Sequence, residues 1–124
     1  MKRLLVAAII IASAATLTAP AQAGDPEAGK QVFKSICNLC HEAIQGKNRV
    51  GPSLYGVVGR QSGIVPGFTY SDANKASNLV WTVDMLNKYL ANPQQVVPGT
   101  KMTYAGLKDD QKRADLIAYL STLH

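Results

Sequence analysis

The sequence contains few cysteine, histidine, aromatic or charged residues. It has 124 residues, of which two are Cys and two are His, and 6% are aromatic. Two cysteines are too few for a disulfide scaffold. Charged residues make up 17% and apolar residues 47%, which excludes an intrinsically disordered chain. A formal charge of +5 with so few aromatic residues also argues against a nucleic-acid-binding protein.

The one long apolar run of the chain lies at its N-terminus. Lys2 and Arg3 precede the run LLVAAIIIA, and small residues ending in A-Q-A at 21–23 follow it. A basic start, a short apolar centre and an A-x-A end predict a cleavable secretory signal peptide over 1–23. The alternative is a retained membrane anchor, but the uncharged stretch 4–19 is shorter than the roughly 18 residues that span a bilayer.

Cleavage would leave one domain over 24–124, exported to the periplasm. It removes 23 of the 124 residues, and the loss of Lys2 and Arg3 lowers the formal charge from +5 to +3. A domain of this size buries roughly 65% of its unfolded surface, so its stability is marginal without help. We therefore expect a bound or covalently attached group to supply part of the core.

Helix signals predict an all-α chain with three main helices joined by long loops. Asp25 begins the first helix, Thr82 the second and Asp109 or Asp110 the last. Glycine and proline punctuate 46–78, which predicts loops with a helical turn over 71–75 capped by Ser71. The expected buried positions of the main helices are Ala28, Val32, Phe33, Ile36, Val83, Leu86, Tyr89, Leu90, Leu116, Ile117, Leu120 and Leu123.

Residues 37–41 read C-N-L-C-H, a spacing typical of covalent attachment of a c-type haem. Cys37 and Cys40 are three residues apart, so on a helical turn their thiols face the same way. Each thiol can then form a thioether with one of the two vinyl groups of a haem, and His41 can ligate the iron. A thiol redox pair would leave His41 unexplained, and a zinc site needs about four ligands where the only other histidine is His124.

The second axial ligand can be sought among three methionines. Met1 leaves with the signal peptide, and Met85 lies in a predicted helix, where methionine usually fills the core. Met102 follows a Pro-Gly pair in a loop that can aim it at the iron. We therefore predict His41 and Met102 as the axial ligands, an arrangement known for cytochromes c. The alternative is that Met102 only packs and the iron is five-coordinate.

Several blocks of sequence resemble the class I cytochrome c family, in particular its small bacterial cytochrome c2 type. The likeness covers essentially all of 24–124. Its blocks are G-D-x-x-x-G-K-x-x-F at 24–33, C-N-L-C-H at 37–41, V-G-P-S-L-Y-G-V-V-G-R at 50–60, P-G-F-T-Y-S-D-A-N-K at 66–75, Y-L-A-N-P at 89–93, P-G-T-K-M at 98–102 and D-L-I-A-Y-L at 115–120. The resemblance implies a cytochrome c fold wrapped around one haem c.

The resemblance also implies roles for residues that the sequence alone would leave unassigned. The carbonyl of Pro52 would accept a hydrogen bond from His41. The side chains that would surround the haem propionates are Arg60, Tyr70 and Trp81. Those that would lie near a buried water and the methionine sulfur are Asn74, Tyr89 and Thr100. The first and last helices would cross at Gly29 and Phe33, against Tyr119 and Leu120.

These features imply a monomeric one-electron carrier rather than an enzyme. By resemblance, its donor would be a quinol–cytochrome c oxidoreductase (a cytochrome bc complex), and its acceptor a photosynthetic reaction centre or a terminal oxidase. Two alternatives remain: an electron donor to a denitrification enzyme, and a peroxidase-type haem enzyme. The peroxidase would need an open iron site and a distal acid–base residue, for which no spare histidine is available.

Docking on acidic partner surfaces is the weakest part of the match. The candidate docking cations are Lys34, Lys47, Arg49, Lys101, Lys108, Lys112 and Arg113. Uncharged or acidic residues stand where strongly basic relatives often carry lysine, at Ile36, Gln94-Gln95 and Asp109-Asp110. We therefore expect docking to depend less on charge than in those relatives.

Overall fold

The computed structural model describes residues 23–124, so the predicted signal peptide lies outside it except for its last residue. The helices of this part are α1 (Pro26–Ser35), α2 (Asp72–Ala76), α3 (Val83–Ala91), α4 (Pro93–Val96) and α5 (Asp110–Leu120). A 3₁₀ turn spans Cys37–Leu39, and an isolated antiparallel bridge joins Gln61 to Val80. The all-α prediction is confirmed. Within 23–124 no helix is long and apolar enough to cross a membrane.

The predicted helix starts are the observed ones. The side chains of Asp25, Ser71, Thr82 and Asp109 each accept a hydrogen bond from a backbone N–H two or three residues further on, at 2.9–3.1 Å. Each cap satisfies one of the N–H groups that the first turn of a helix leaves unpaired. Of the two candidates for α5, Asp109 is the cap, and Asp110 is the first helical residue.

One helix was missed. Helix α4 occupies the start of a segment that was expected to be loop throughout. Asn92 ends α3 and also accepts a hydrogen bond from the backbone N–H of Gln95, so it caps α4. Pro93 then stands at the first helical position, where its missing N–H costs nothing. The Asn-Pro pair is thus both the end of one helix and the beginning of the next.

The hydrophobic core lies where α1, α3 and α5 meet the loop that follows α4. Gly29 faces α5 so closely that a Cβ there would collide with the Asp115 carbonyl oxygen and lie 2.9 Å from the Tyr119 Cβ. The rings of Phe33 and Tyr119 pack beside it with centroids 5.3 Å apart. The buried apolar residues are Phe33, Val57, Trp81, Leu86, Tyr89, Leu90, Val97, Leu107, Leu116, Ile117 and Leu120.

Two sequence predictions about exposure are wrong. Val83 was placed in the buried stripe of α3 but is 51% exposed, because it is the first residue of the helix and lies at the edge of the core. Arg113 was offered as a docking cation but is buried. Its guanidinium donates to Asn87 Oδ1 at 2.7 Å, to the Leu107 carbonyl at 2.8 Å and to Asp110 Oδ1 at 2.6 Å, which ties α5 to α3 and the preceding loop.

Candidate haem-binding site

The C-x-x-C-H segment is a tight turn directly after α1. The backbone N–H groups of Cys40 and His41 both donate to the Cys37 carbonyl, at 3.1 and 2.9 Å. This turn brings both cysteines to one side of the chain, where both are partly buried as free thiols. Burial, with a smaller contribution from Cys40, raises the pKa of the Cys37 thiol to about 11.

The surroundings of Cys37 favour one of the two possible uses of the cysteines, a thiol redox pair or covalent haem attachment. Thiol–disulfide chemistry needs a thiolate, and redox-active thiols have lowered pKa values. The pKa of Cys37 is raised instead, so its surroundings favour an uncharged sulfur. A thioether is uncharged at every pH. The site therefore suits covalent attachment through Cys37 better than it suits a thiol redox pair.

The ring of His41 is held in place from two sides. Its Nδ1 lies 2.7 Å from the Pro52 carbonyl oxygen and donates to it, which leaves Nε2 as the ring nitrogen free to ligate a metal. Burial lowers the pKa of His41, and this outweighs the raising effect of the Pro52 bond, so the neutral, ligating imidazole is favoured. Gly51 faces the ring, and a Cβ there would collide with Cε1 and lie 2.6 Å from Nδ1.

The sulfur of Met102 contacts a buried phenol. The hydroxyl of Tyr89 donates to Met102 Sδ at 3.8 Å, and burial raises the pKa of Tyr89, so the hydroxyl keeps its proton. The Met102 backbone N–H donates to Thr100 Oγ1 at 3.2 Å. The Gln94 side chain donates to the Met102 carbonyl at 2.8 Å. Both the thioether and the backbone of Met102 are therefore fixed.

The three residues assigned to the propionates form a second group. Arg60 donates to the carbonyls of Tyr55 and Ser53, at 2.9 and 3.1 Å. Its backbone carbonyl accepts from Trp81 N at 2.8 Å, which brings those two residues together. Burial lowers the pKa of Arg60, and the nearby Tyr70 opposes this. Tyr70 in turn accepts a hydrogen bond from Val65 N at 3.1 Å.

Trp81 and Tyr89 connect this group to the methionine. Their ring centroids are 4.7 Å apart and both side chains are buried. The methionine loop also approaches the segment before α2, because Lys101 Nζ donates to the Thr69 carbonyl at 3.1 Å. The residue before Met102 is thus held to a part of the chain that is distant in sequence.

Asn74 on α2 carries a buried side-chain oxygen that lacks a hydrogen-bond partner in the described residues. Its Oδ1 is buried and accepts no hydrogen bond from residues 23–124. A buried amide oxygen without a donor is costly, so this atom is suited to a bound water or another group in the site. That environment agrees with the position that the resemblance implied for Asn74.

Sequence reasoning missed two residues that build the site. The sequence pattern marks Gly51 only as a loop residue, although its lack of a side chain is what makes room for His41. Gln94 was considered only as a missing docking charge, although its amide holds the Met102 backbone. The Gly-Pro pair at 51–52, ten residues after the metal-ligating motif, is a usable signal for Gly51; nothing in the sequence points to Gln94.

Comparison with known proteins agrees with this geometry. The cytochrome c family profile matches residues 26–124. Cytochrome c2 of Rhodopila globiformis is 64% identical over 100 residues, covering 81% of this chain and 94% of that protein. Cytochrome c2 of Blastochloris viridis is 47% identical over 121 residues, covering 97% and 92%. The solved structure of cytochrome cH from Methylobacterium extorquens is 46% identical, with a TM-score of 0.75, covering 80% and 99%.

The chain belongs to the cytochrome c family. Its similarity to two cytochromes c2 places it with the c2 type of class I. It is an electron-transfer protein that carries covalently bound haem c, and not an enzyme, so the peroxidase alternative is excluded. The residues of the site fit this group: a neutral sulfur environment at Cys37, an imidazole with one free nitrogen at His41, and an orphaned buried oxygen at Asn74.

Proposed function

We propose that this protein is a periplasmic one-electron carrier whose haem iron is ligated by His41 and Met102. It takes electrons from a quinol–cytochrome c oxidoreductase and passes them to a photosynthetic reaction centre or a terminal oxidase. The observation that carries this proposal is the pair of fixed ligands: His41 held by Pro52, and the Met102 sulfur in contact with Tyr89. Bound haem c supplies an iron that alternates between Fe(III) and Fe(II).

The surrounding residues hold the ligands and exclude water. Cys37 and Cys40 would attach the haem covalently, and His41 and Met102 would ligate its iron, which would leave no iron site for a substrate. Trp81 and Tyr89 are buried aromatic residues that keep solvent away from the methionine side. Because each ligand is fixed by hydrogen bonds to its own surroundings, little needs to move when the charge of the site changes.

The same residues can compensate buried negative charge. We propose that Arg60, Tyr70 and Trp81 stabilise the haem propionates, because Arg60 carries a desolvated positive charge next to Tyr70. Asn74 and Thr100 would complete a polar network with Tyr89 beside the methionine. Burial raises the pKa of the Tyr89 phenol, and the neighbouring Thr100 side chain opposes this by hydrogen bonding, which supports such a network.

Export through a signal peptide over 1–23 is also part of this proposal. The pattern at the N-terminus supports it, and the match to the Blastochloris viridis cytochrome c2 covers 97% of the chain, so it extends into this segment. The working domain would then be 24–124.

Partner docking would use the exposed surface beside the C-x-x-C-H turn. Leu39 lies within this turn and Val50 lies on a neighbouring loop, and they are 71% and 76% exposed. The Gly51 N–H donates to the Cys40 carbonyl, and Arg49 donates to the Asn38 carbonyl, so the two apolar side chains lie on neighbouring segments. Exposed apolar residues at this place support docking that depends only partly on charge.

Substitution of Met102 tests the axial ligand. Met102→Ala should abolish the long-wavelength absorption band characteristic of a bond between sulfur and ferric iron. The matched control is Met85→Ala, which removes a partly buried methionine of α3 that packs against the core and should leave the band intact. An unchanged spectrum in Met102→Ala would refute the assignment, whereas loss of the band in both variants would indicate general disruption of the fold.

A further inference from the structure

Asp115 is a buried carboxylate without a cationic partner. It lies on α5 and is only 8% exposed. Its Oδ1 accepts from the Asp25 backbone N–H and from Gln111 Nε2, both at 2.8 Å. Among residues 23–124 no lysine, arginine or histidine side chain comes within ion-pair distance of it. A carboxylate withdrawn from water without a counter-charge is costly.

The chain brings Gly24 to the same place. A Cβ at Gly24 would collide with the Ala114 carbonyl oxygen and lie 2.9 Å from the Asp115 backbone nitrogen, so its Cα lies directly on the backbone of α5. Consecutive backbone nitrogens are at most about 3.6 Å apart. Since Asp25 N is 2.8 Å from Asp115 Oδ1, the nitrogen of Gly24 lies within about 6.5 Å of that oxygen.

A second carboxylate faces the same place from α3. Gly24 and Asp84 both line a groove of about 410 Å³ between α3 and α5, together with Val83, Asn87, Ala114, Ile117, Ala118 and Ser121. Asp25 is the N-cap of α1, and Glu27 lies in its first turn. The charged residues at the groove and at the start of α1 are thus mostly acidic. The exception is Arg113, whose guanidinium is held by Asn87, Leu107 and Asp110. The N-terminus of α1 itself carries a partial positive charge.

We propose that the junction of α1, α3 and α5 is a binding site for the chain's own α-ammonium group, and that processing after Ala23 creates this ligand. The inference rests on the signal-peptide cleavage proposed above. Hydrolysis by a signal peptidase adds water across the Ala23–Gly24 bond and leaves a carboxylate on Ala23 and a protonated amine on Gly24. The amine pairs with Asp115 and faces Asp84 across the groove.

The site explains two features of the chain. Glycine is needed directly after the cleavage site, because the backbone of α5 leaves no room for a side chain there. The new N-terminus is held rather than frayed, because the Gly24 Cα packs on α5 and the next N–H is bonded to Asp115. Cleavage thereby adds one counter-charge that completes the contact between the first and last helices.

The test compares haem-loaded protein that starts at Gly24 with protein that retains Gln22 and Ala23, each with and without Asp115→Asn. Asparagine keeps the shape and the accepting oxygen but removes the charge. We expect Asp115→Asn to lower the equilibrium ratio of folded to unfolded protein in both chains, and by about two- to fivefold more in the chain that starts at Gly24. This is the range of a partly exposed ion pair. Asp72→Asn, an exposed carboxylate on α2, is the matched control and should show no such difference.

Titration of the N-terminal amine gives an independent result. In the chain that starts at Gly24 the α-amine should titrate above its ordinary range of about 7.7–8.0, and Asp115→Asn should return it to that range. An ordinary α-amine together with equal effects of Asp115→Asn in both chains would overturn the proposal. A natural N-terminus at a position other than Gly24, found by mass spectrometry, would do the same. None of these results depends on the haem spectrum or on electron transfer. The proposed function can therefore hold or fail independently of this site.

Discussion

His41 shows how individual atoms position a ligand. In a neutral imidazole one ring nitrogen carries a proton and the other has a free lone pair. A hydrogen bond donated by one nitrogen therefore fixes the other as the possible metal ligand. The Pro52 carbonyl accepts from Nδ1, so Nε2 is the free nitrogen. Gly51 contributes by having no side chain, since any Cβ would overlap the ring. Two adjacent residues, one through its carbonyl and one through its missing Cβ, therefore orient the ligand.

Replacement of Gly51 by alanine tests this role. The added methyl would collide with the His41 ring, so we expect Gly51→Ala to displace the ring, change the visible spectrum and lower the free energy of unfolding by about 1–3 kcal/mol. Visible spectra and denaturant unfolding measure both effects. Gly46→Ala is the control: nothing lies near its Cβ, so it should cost about 1 kcal/mol of backbone strain at φ 74° and leave the spectrum unchanged.

The helices of this protein are too short to be stable alone. The longest described helix, α5, has 11 residues, and isolated helices shorter than about 12–15 residues are marginal in water. Their stability must come from packing, and the closest packing is the crossing of α1 and α5 at Gly29. Helix propensity and packing make opposite demands at this position.

Gly29→Ala separates the two effects. Alanine is favoured over glycine inside a helix by about 1 kcal/mol. Its Cβ would nevertheless meet the Asp115 carbonyl oxygen on rigid backbone, so we expect a net loss of stability of about 1–3 kcal/mol in denaturant unfolding. A stabilised Gly29→Ala protein would show that α1 and α5 can move apart without cost.

Tyr119, at the same crossing, gives this contact a pH dependence. Burial, and then the negative charge of Glu27, raises the pKa of its phenol. As the pH rises above about 10, tyrosine ionises first in the unfolded chain, so stability present at lower pH is lost until the folded phenol also ionises. Unfolding measured at about pH 8 and about pH 10.5 should show a smaller loss for Tyr119→Phe than for the unchanged protein, with Glu27→Gln intermediate.

At the scale of the whole molecule, several of the cations that the sequence offers for docking have partners within the protein. Arg113 is buried, and Arg49 is paired with Glu42 at 3.3 Å. Lys101 and Lys108 donate to backbone carbonyls. The docking candidates without such a bond in the described chain are Lys34, Lys47 and Lys112. Together with the exposed Leu39 and Val50, this distribution favours docking in which apolar contact carries more of the affinity.

Salt dependence measures this balance directly. We expect the second-order rate of reduction by a purified bacterial quinol–cytochrome c oxidoreductase to fall less steeply between about 10 and about 150 mM salt than the rate for a strongly basic mitochondrial cytochrome c. Val50→Thr should slow the reaction at every salt concentration, whereas Val83→Thr, on α3 and 51% exposed, should not. Equal salt slopes for the two proteins would contradict the expectation.

The sequence by itself determined the features that depend on neighbours along the chain. The C-x-x-C-H turn and the four predicted helix caps, which mark where the helices start, follow from spacing and local hydrogen bonding between residues close together in the chain. The roles of Pro52, Arg60 and Asn74 came from family resemblance, because no local pattern distinguishes them from ordinary loop residues.

Only the tertiary structure decided which residues meet across long distances. It buried Arg113, exposed Val83, placed Gly51 against His41 and brought Gly24 to Asp115. These outcomes depend on how α5 and the loops pack. An arginine, for example, can be an exposed surface charge in one packing and a buried hydrogen-bond donor between elements in another. Contact and burial are properties of the assembled core, and a linear pattern of residue types does not specify them.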